Sequence, residues 1–376
     1  MEIHYLDNSA TTQVCEAAAQ AALDMMRKNY GNPSSLHRLG IDAEAKVEEA
    51  RQTIADSLGV DSKNIIFTSG GTEGNNTVMF GAAQALSRRG NRIIVSAVEH
   101  SSVYESAKRL AELGYDVAYA PVDNSGTVDI EALKALLTDK TILVSIMTVN
   151  NETGTIQPIE RIAKLVHKHS PEALFHTDAV QAYCKIPLKP KKWGVDLMTV
   201  SAHKIHGAKG SGAIYIRDGA RIFPLLYGGE QQKKLRPGTE SSPLIAVFGA
   251  AVREADISAN SEYIRKLNAY ALEKLISIDG VSVNSPTDAL PYIINISVQG
   301  IRSETMLHHL ESLGVYVSSS SACAKGKRSY VLKAMGLPDE RIDSSIRISF
   351  SKYNTESDID ALIEGLNSGI ATLQKR

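Results

Sequence analysis

The chain reads as an α/β protein: a mostly parallel, seven-stranded sheet in a large unit, with a smaller α+β unit beside it. Three observations carry that reading. Short apolar runs alternate with segments of helical period, as in sheets covered by helices. Polar, glycine or acidic residues follow the runs, where open α/β sheets hold their ligand groups. After residue 278 the alternation gives way to a mixed set of strands and helices. The boundaries expected are residues 15–255 for the large unit, and residues 1–14 with 256–376 for the smaller one.

In chain order, Ala43, Val47, Ala50, Ile54 and Leu58 recur at three- and four-residue spacing and mark one helix face, which Gly59 ends. Buried strands are expected at 65–68, 92–97, 115–120, 142–149, 174–179, 196–200 and 213–216. Helical patterns at 102–113, 130–137 and 158–169 lie between them. A long helical stretch, 243–278, leads out of this core. Strands at 281–284, 293–298, 315–318 and 346–350, with helices at 304–313 and 356–373, make up the smaller unit. The chain carries no internal repeat or low-complexity tract.

Composition narrows the function classes. With 376 residues, 43% of them apolar, the chain buries a large core and divides into more than one unit. A formal charge of −1 leaves no electrostatic footprint for nucleic acid. Lys189-Pro190-Lys191-Lys192 and Lys233-Lys234 are short basic clusters that read as solvated turns. The start, Met1-Glu2-Ile3-His4, is not a basic segment leading into an apolar one, and no apolar run spans a bilayer, so a cytoplasmic protein without a membrane partner is expected. Cys15, Cys184 and Cys323 are too few and too separated for a disulfide framework or a cysteine-rich zinc site. No metal is expected, although His203 and His206 stand three apart and His100, His176 and Asp178 sit at strand ends. These residues form no HExxH or CxxC signature, and Lys204 between two of them repels a cation.

The richest chemistry lies in Ser201-Ala202-His203-Lys204-Ile205-His206-Gly207-Ala208-Lys209-Gly210, a polar loop between two apolar runs. Desolvation and neighbouring cations lower an amine's pKa and make it a nucleophile toward a carbonyl, and pyridoxal phosphate is the commonest carbonyl cofactor. Taken singly, a lysine such as Lys204 is more often an ordinary one, so other segments have to supply the remaining contacts. Ser69-Gly70-Gly71-Thr72-Glu73-Gly74-Asn75-Asn76 follows a strand and opens a helix, a phosphate cradle or a close-packing turn. Asp178 ends the run Leu174-Phe175-His176-Thr177, where a carboxylate pairs with a pyridine nitrogen, caps a helix or joins a buried ion pair. Cys184, beside Tyr183, reads as a buried thiol. Cys323 differs: Ser318 to Ser321 precede it, Ala324-Lys325-Gly326-Lys327-Arg328 follow it, and three cations favour its thiolate in an exposed, mobile loop.

Together these segments resemble the cysteine desulfurases of the fold-type I, class V aminotransferase superfamily. The resemblance runs in order through Tyr5 to Thr12, Gly31 to His37, Thr68 to Asn76, Val98 to His100, Val149 to Gly154, His176 to Gln181, Ser201 to Gly210, Arg236 to Thr239, Ser319 to Cys323 and Ser345 to Ser349. It implies a fold-type I transferase whose Lys204 forms a Schiff base with pyridoxal phosphate and serves as the base at the substrate carbon. In the same reading Asp178 holds the pyridine nitrogen, Gln181 the ring oxygen, and His100 stacks over the ring. Gly71, Thr72, Ser201 and His203 take the phosphate, Thr239 reaches in from the second subunit of a homodimer, and Arg347 with Asn151, which also touches the cofactor, binds the substrate carboxylate. Cys323 takes the sulfur of L-cysteine as a persulfide, alanine leaves, and the sulfur passes to an acceptor protein.

The serine-rich cysteine loop resembles the branch with a longer, mobile loop. Ser320 stands where that branch has glycine, Ala208 where it has proline, and the stretch 323–329 is shorter. The acceptor is therefore open between an iron–sulfur scaffold, a tRNA-thiolation enzyme and another carrier. A class V aminotransferase, or a lyase acting on selenocysteine or cysteine sulfinate, is the competing enzyme, and dependence on Cys323 separates the two. A sulfur-relay partner without catalysis is the reading from another class, and intact Lys204, Asp178, His100 and Arg347 count against it.

Overall fold

The computed structural model describes residues 2–319 and 328–373. Strand β1 (His4–Tyr5) is followed by β2 (Ile65–Thr68), β3 (Arg92–Ser96), β4 (Asp116–Ala120), β5 (Thr141–Ser145), β6 (Leu174–Asp178), β7 (Leu197–Ser201) and β8 (Gly212–Ile216). The last seven form one sheet in the order β2-β8-β7-β6-β5-β3-β4, parallel except that β8 runs against both neighbours. Every residue of β5, β6 and β7 is buried, because crossover helices cover both faces and no strand needs a polar side. That is why the sequence shows unbroken apolar runs.

The helices Gly71–Leu86, Ser101–Glu112, Ile130–Leu136 and Ile159–His169 are the crossovers. Helix Arg38–Leu58 buries Ala43, Val47, Ala50, Ile54 and Leu58 and ends at Gly59, whose φ of 65° is a left-handed conformation suited to glycine. The predicted 243–278 helix is two helices, Ser242–Arg253 and Ile257–Ile276. The break falls at Asp256, whose side chain accepts the Ala259 N–H at 2.9 Å and caps the second helix. Continuous apolar spacing hid that cap.

A second sheet has the order β12-β13-β10-β9, with β9 (Val281–Val283), β10 (Ile293–Val298), β12 (Ser318–Ser319) and β13 (Ser345–Ser349). Strand β11 (Val315–Tyr316) instead pairs in parallel with β1, so the predicted 315–318 strand is divided between two sheets. The expected 142–149 strand closes at Ser145, although Ile146 and Thr148 still donate to the carbonyls of His176 and Asp178. One buried apolar cluster runs from Ile54 and Phe67 through Phe175 and Phe248 to Ile346 and Leu362, joining the two sheets. Among the described residues, no helix is long and apolar enough to cross a membrane.

Candidate active site

Parallel strands bring their carboxyl ends to one edge, and that edge meets β12, β13 and the N-terminal segment around a cavity of about 440 Å³. Gly71, Thr72, His100, Asn151, Asp178, Gln181, His203, Lys204 and Arg347 all line it. Two expected residues do not. Ser201 is fully buried, its hydroxyl turned toward the Ser211 carbonyl across the β7–β8 pair at 3.4 Å. Thr239 is exposed and lies outside the cavity lining. Cys323 lies outside the described residues.

Asp178 ends the central strand β6 and is 4% exposed. Its Oδ1 accepts the Val180 N–H at 2.9 Å and its Oδ2 accepts Asn75 Nδ2 at 2.7 Å. Asn75 also donates to Ser102 Oγ at 2.8 Å, and that hydroxyl lies 2.8 Å from His100 Nδ1. Because Nδ1 also accepts the Ser102 backbone N–H at 3.2 Å, the network assigns the ring proton to Nε2. Burial holds His100 below its usual pKa, with Lys204 and Arg347 acting in the same direction and Asp178 against it. A neutral imidazole is thereby fixed over the cavity.

Lys204 follows β7 in a single helical turn, and its Nζ donates to the carbonyls of Ser9 and Ala10, the latter at 2.7 Å. Burial, then the charges of Lys204, Lys209 and Lys185, push His203 down to about 4. Gly70 precedes helix Gly71–Leu86 with φ 149° and ψ −176°, a backbone region reserved to glycine, and no side chain caps the helix start. Nothing lies within 4 Å of where a Gly70 Cβ would stand, while a Cβ on Gly212 would meet Gly70 Cα at 2.7 Å. Two glycines thus let β8 press against the turn from behind and leave its front open.

Arg347 comes from β13 and is 8% exposed. Its guanidinium donates to Asp7 Oδ1 at 2.9 Å and to the Asn151 carbonyl at 3.0 Å, and its buried Nε has no hydrogen-bond partner. Beside it Glu152 accepts Ser329 Oγ at 2.6 Å, and burial raises its pKa to about 7 despite that bond and the Arg347 charge. Glu99, directly before His100, is fully buried; its Oε1 accepts Ser96 Oγ at 2.5 Å and the Met147 N–H at 2.8 Å, while Oε2 has no partner. Burial raises it to about 8.

Arg328, one of the three cations that follow Cys323 in the sequence, forks onto Asp343 at 2.7 and 2.8 Å and reaches Asp339 at 2.5 Å. Two carboxylates already balance its charge.

Asn75, Asp7, Glu99, Glu152 and Lys185 were not singled out from the sequence. Each lies within or beside a segment that carried the resemblance, and only Lys185, in Tyr183-Cys184-Lys185-Ile186-Pro187, is a charged residue in an apolar stretch that the sequence itself could have flagged. Among the described residues no group of three or more His, Cys, Asp or Glu side chains converges as a metal site would.

Comparison with known proteins places this geometry. The family model described as aminotransferase class-V matches residues 4–362. Cysteine desulfurase IscS of Methanosarcina thermophila is 40% identical over 365 residues, covering 96% of this chain and 90% of the relative. Cysteine desulfurase IscS of Dictyoglomus turgidum is 41% identical over 376 residues, covering 98% and 95%. A solved NifS-like protein superposes with a TM-score of 0.94 at 38% identity, covering 99% of this chain and 100% of that one. A structure described as SspA in complex with cysteine has a TM-score of 0.83 at 31% identity, covering 93% and 99%.

Proposed function

This chain belongs to the class V aminotransferase family and is a cysteine desulfurase, and from that premise we propose that the cavity at the carboxyl edge of the sheet binds L-cysteine and pyridoxal phosphate, with Cys323 as sulfur acceptor. The related SspA structure, described as a complex with cysteine, supports the substrate.

The residues present fit the cofactor. The turn at Gly70 leaves open space in front of an uncapped helix start, as a phosphate requires. Burial first, then the charges of Lys204, Lys209 and Lys185, hold His203 low, so cations stand close to the position a phosphate would take. Lys204 would hold the aldehyde, Asp178 the ring nitrogen, Gln181 the ring edge, His100 the ring face, and Gly71, Thr72 and His203 the phosphate. When bound, the cofactor supplies an electron sink for the carbon next to the substrate amine.

The protein's own groups do the rest. Arg347 is aimed by Asp7 and the Asn151 carbonyl, and as a guanidinium lining the cavity it would hold the substrate carboxylate. Two-point binding of that kind fixes the substrate's orientation. Asn75 and the Val180 N–H hold the Asp178 carboxylate in place, so its charge faces the cavity. Neutral His100, with its proton on Nε2, is placed to exchange a proton with the substrate. Lys204 would be the group that takes the proton from the substrate carbon. Cys323 Sγ then forms a bond to the substrate sulfur as the carbon–sulfur bond breaks. Protonated carbon leaves as alanine, and the enzyme keeps the sulfur as a persulfide for an acceptor protein.

The observation that carries this reading is the convergence of Lys204, Asp178, His100 and Arg347 on one cavity from four separate strands or strand ends. Its test is Cys323→Ala assayed for alanine and sulfide from L-cysteine with cofactor and a reductant. The variant should retain the cofactor's visible spectrum and its change on adding L-cysteine, yet release almost no sulfide. Undiminished sulfide would favour a lyase without obligatory thiol attack. We further propose that the active form is a two-fold homodimer, with exposed Thr239 completing the phosphate site of the other subunit.

A further inference from the structure

We infer that Lys185 is a positioning residue for Lys204: from behind the site it sets the protonation balance of the Lys204 amine and holds Gln181 in place. The inference rests on Lys204 being the lysine that carries the cofactor. Lys185 is 7% exposed, and among the described residues no carboxylate lies within ion-pair distance of it. A buried lysine without a counter-ion costs folding stability, so its retention calls for a chemical reason. Its Nζ donates to Gln181 Oε1 at 3.2 Å and stands 5.5 Å from the Tyr292 ring centroid. Gln181 Nε2 donates to the Ser9 carbonyl at 2.9 Å, and that carbonyl also accepts from Lys204. The two amines are therefore linked through one side chain and one carbonyl.

They also share a small rear cavity of about 40 Å³, lined with Asn8 and Thr12, large enough for about three or four waters at about 10–15 Å³ each. The charged and titratable groups around Lys185 are Lys204, His203 and Arg347 toward the site, Cys184 and Tyr292 along its stem, and His206, Glu254 and Lys352 around the rear cavity. Burial first, then Lys204 and Arg347, bring Lys185 to about 7. The coupling is mutual: a cation at Lys185 disfavours a second charge on Lys204. A charge there favours loss of the Lys204 proton, which readies the amine to join an aldehyde, and opposes protonation of that nitrogen once it is bound.

The test is a pH titration of the visible absorbance of the cofactor-loaded protein. Lys185→Met should raise the midpoint by about one pH unit, with Lys185→Gln as the second neutral variant should methionine fail to fold. Lys185→Arg, which keeps the charge, should stay close to wild type. An unmoved midpoint in the neutral variant, or equal shifts in the neutral and arginine variants, overturns the inference and leaves Lys185 as a packing residue. Borohydride reduction and peptide mapping of the wild type keep the two claims apart. A cofactor mass on any lysine other than Lys204 defeats the reading of the site, whereas a mass on Lys204 with an unmoved midpoint defeats only the role of Lys185.

Discussion

Replacing Glu99 with Gln should make the protein more stable above neutral pH and change it much less in mild acid. Glu99 is wholly enclosed, and burial lifts it from 4.5 to about 8, with Asp178 adding to the effect and the Ser96 and Met147 hydrogen bonds opposing it. The folded state thus binds a proton that the unfolded chain gives up. Stability from that proton is fully present below about pH 4.5 and is lost as pH rises through about 8. At about 1.4 kcal/mol per pH unit, the total loss is about 5 kcal/mol. Glutamine keeps an oxygen for both hydrogen bonds at Oε1 and never ionises. Its amide would occupy the position of Oε2, which has no partner, at a cost of about 1–3 kcal/mol. The net gain expected at pH 8.5 is therefore about 2–4 kcal/mol. Urea unfolding of wild type and variant, both saturated with pyridoxal phosphate, at pH 5.5 and 8.5 measures it. If the difference between the two proteins is the same at both pH values, Glu99 is not held neutral by the fold.

Two further outcomes follow from the site. Arg347→Lys removes the fork that spans Asp7 and the Asn151 carbonyl, so KM for L-cysteine should rise about 10- to 100-fold, or about 1.5–3 kcal/mol; a fall confined to kcat would refute the carboxylate role. Light scattering at assay concentration should give the mass of a dimer, with Leu36, Tyr30 and Tyr227, now 95%, 65% and 77% exposed, as the apolar surface available to it; a fully active monomer would count against it.

Much of this was legible in the sequence because β6 and β7 are buried on both faces, so Asp178 and Lys204 stand out at the ends of apolar runs. Arg347 and Asn151 could be placed together only through resemblance, since nothing local relates residues 196 positions apart. The resemblance puts Ser201 at the phosphate, but its side chain points across the antiparallel β7–β8 pair. Asn75 looks like a surface residue of a helical segment until the topology encloses it. The pairing of Arg328 with Asp343 was similarly hidden, because charge counts show which cations are present and not which are already balanced.

The pairing of β1 with β11 has a consequence in time. His4 meets Val315, more than three hundred residues later, and the segment that follows β1 supplies Asp7 to Arg347 and the Ser9 and Ala10 carbonyls to Lys204. Residues made early are thus seated late. Contacts of such long range close late, after most of the chain has left the ribosome. The segment that holds Lys204 therefore gains its contacts to β11 and β13 only after both strands have been made.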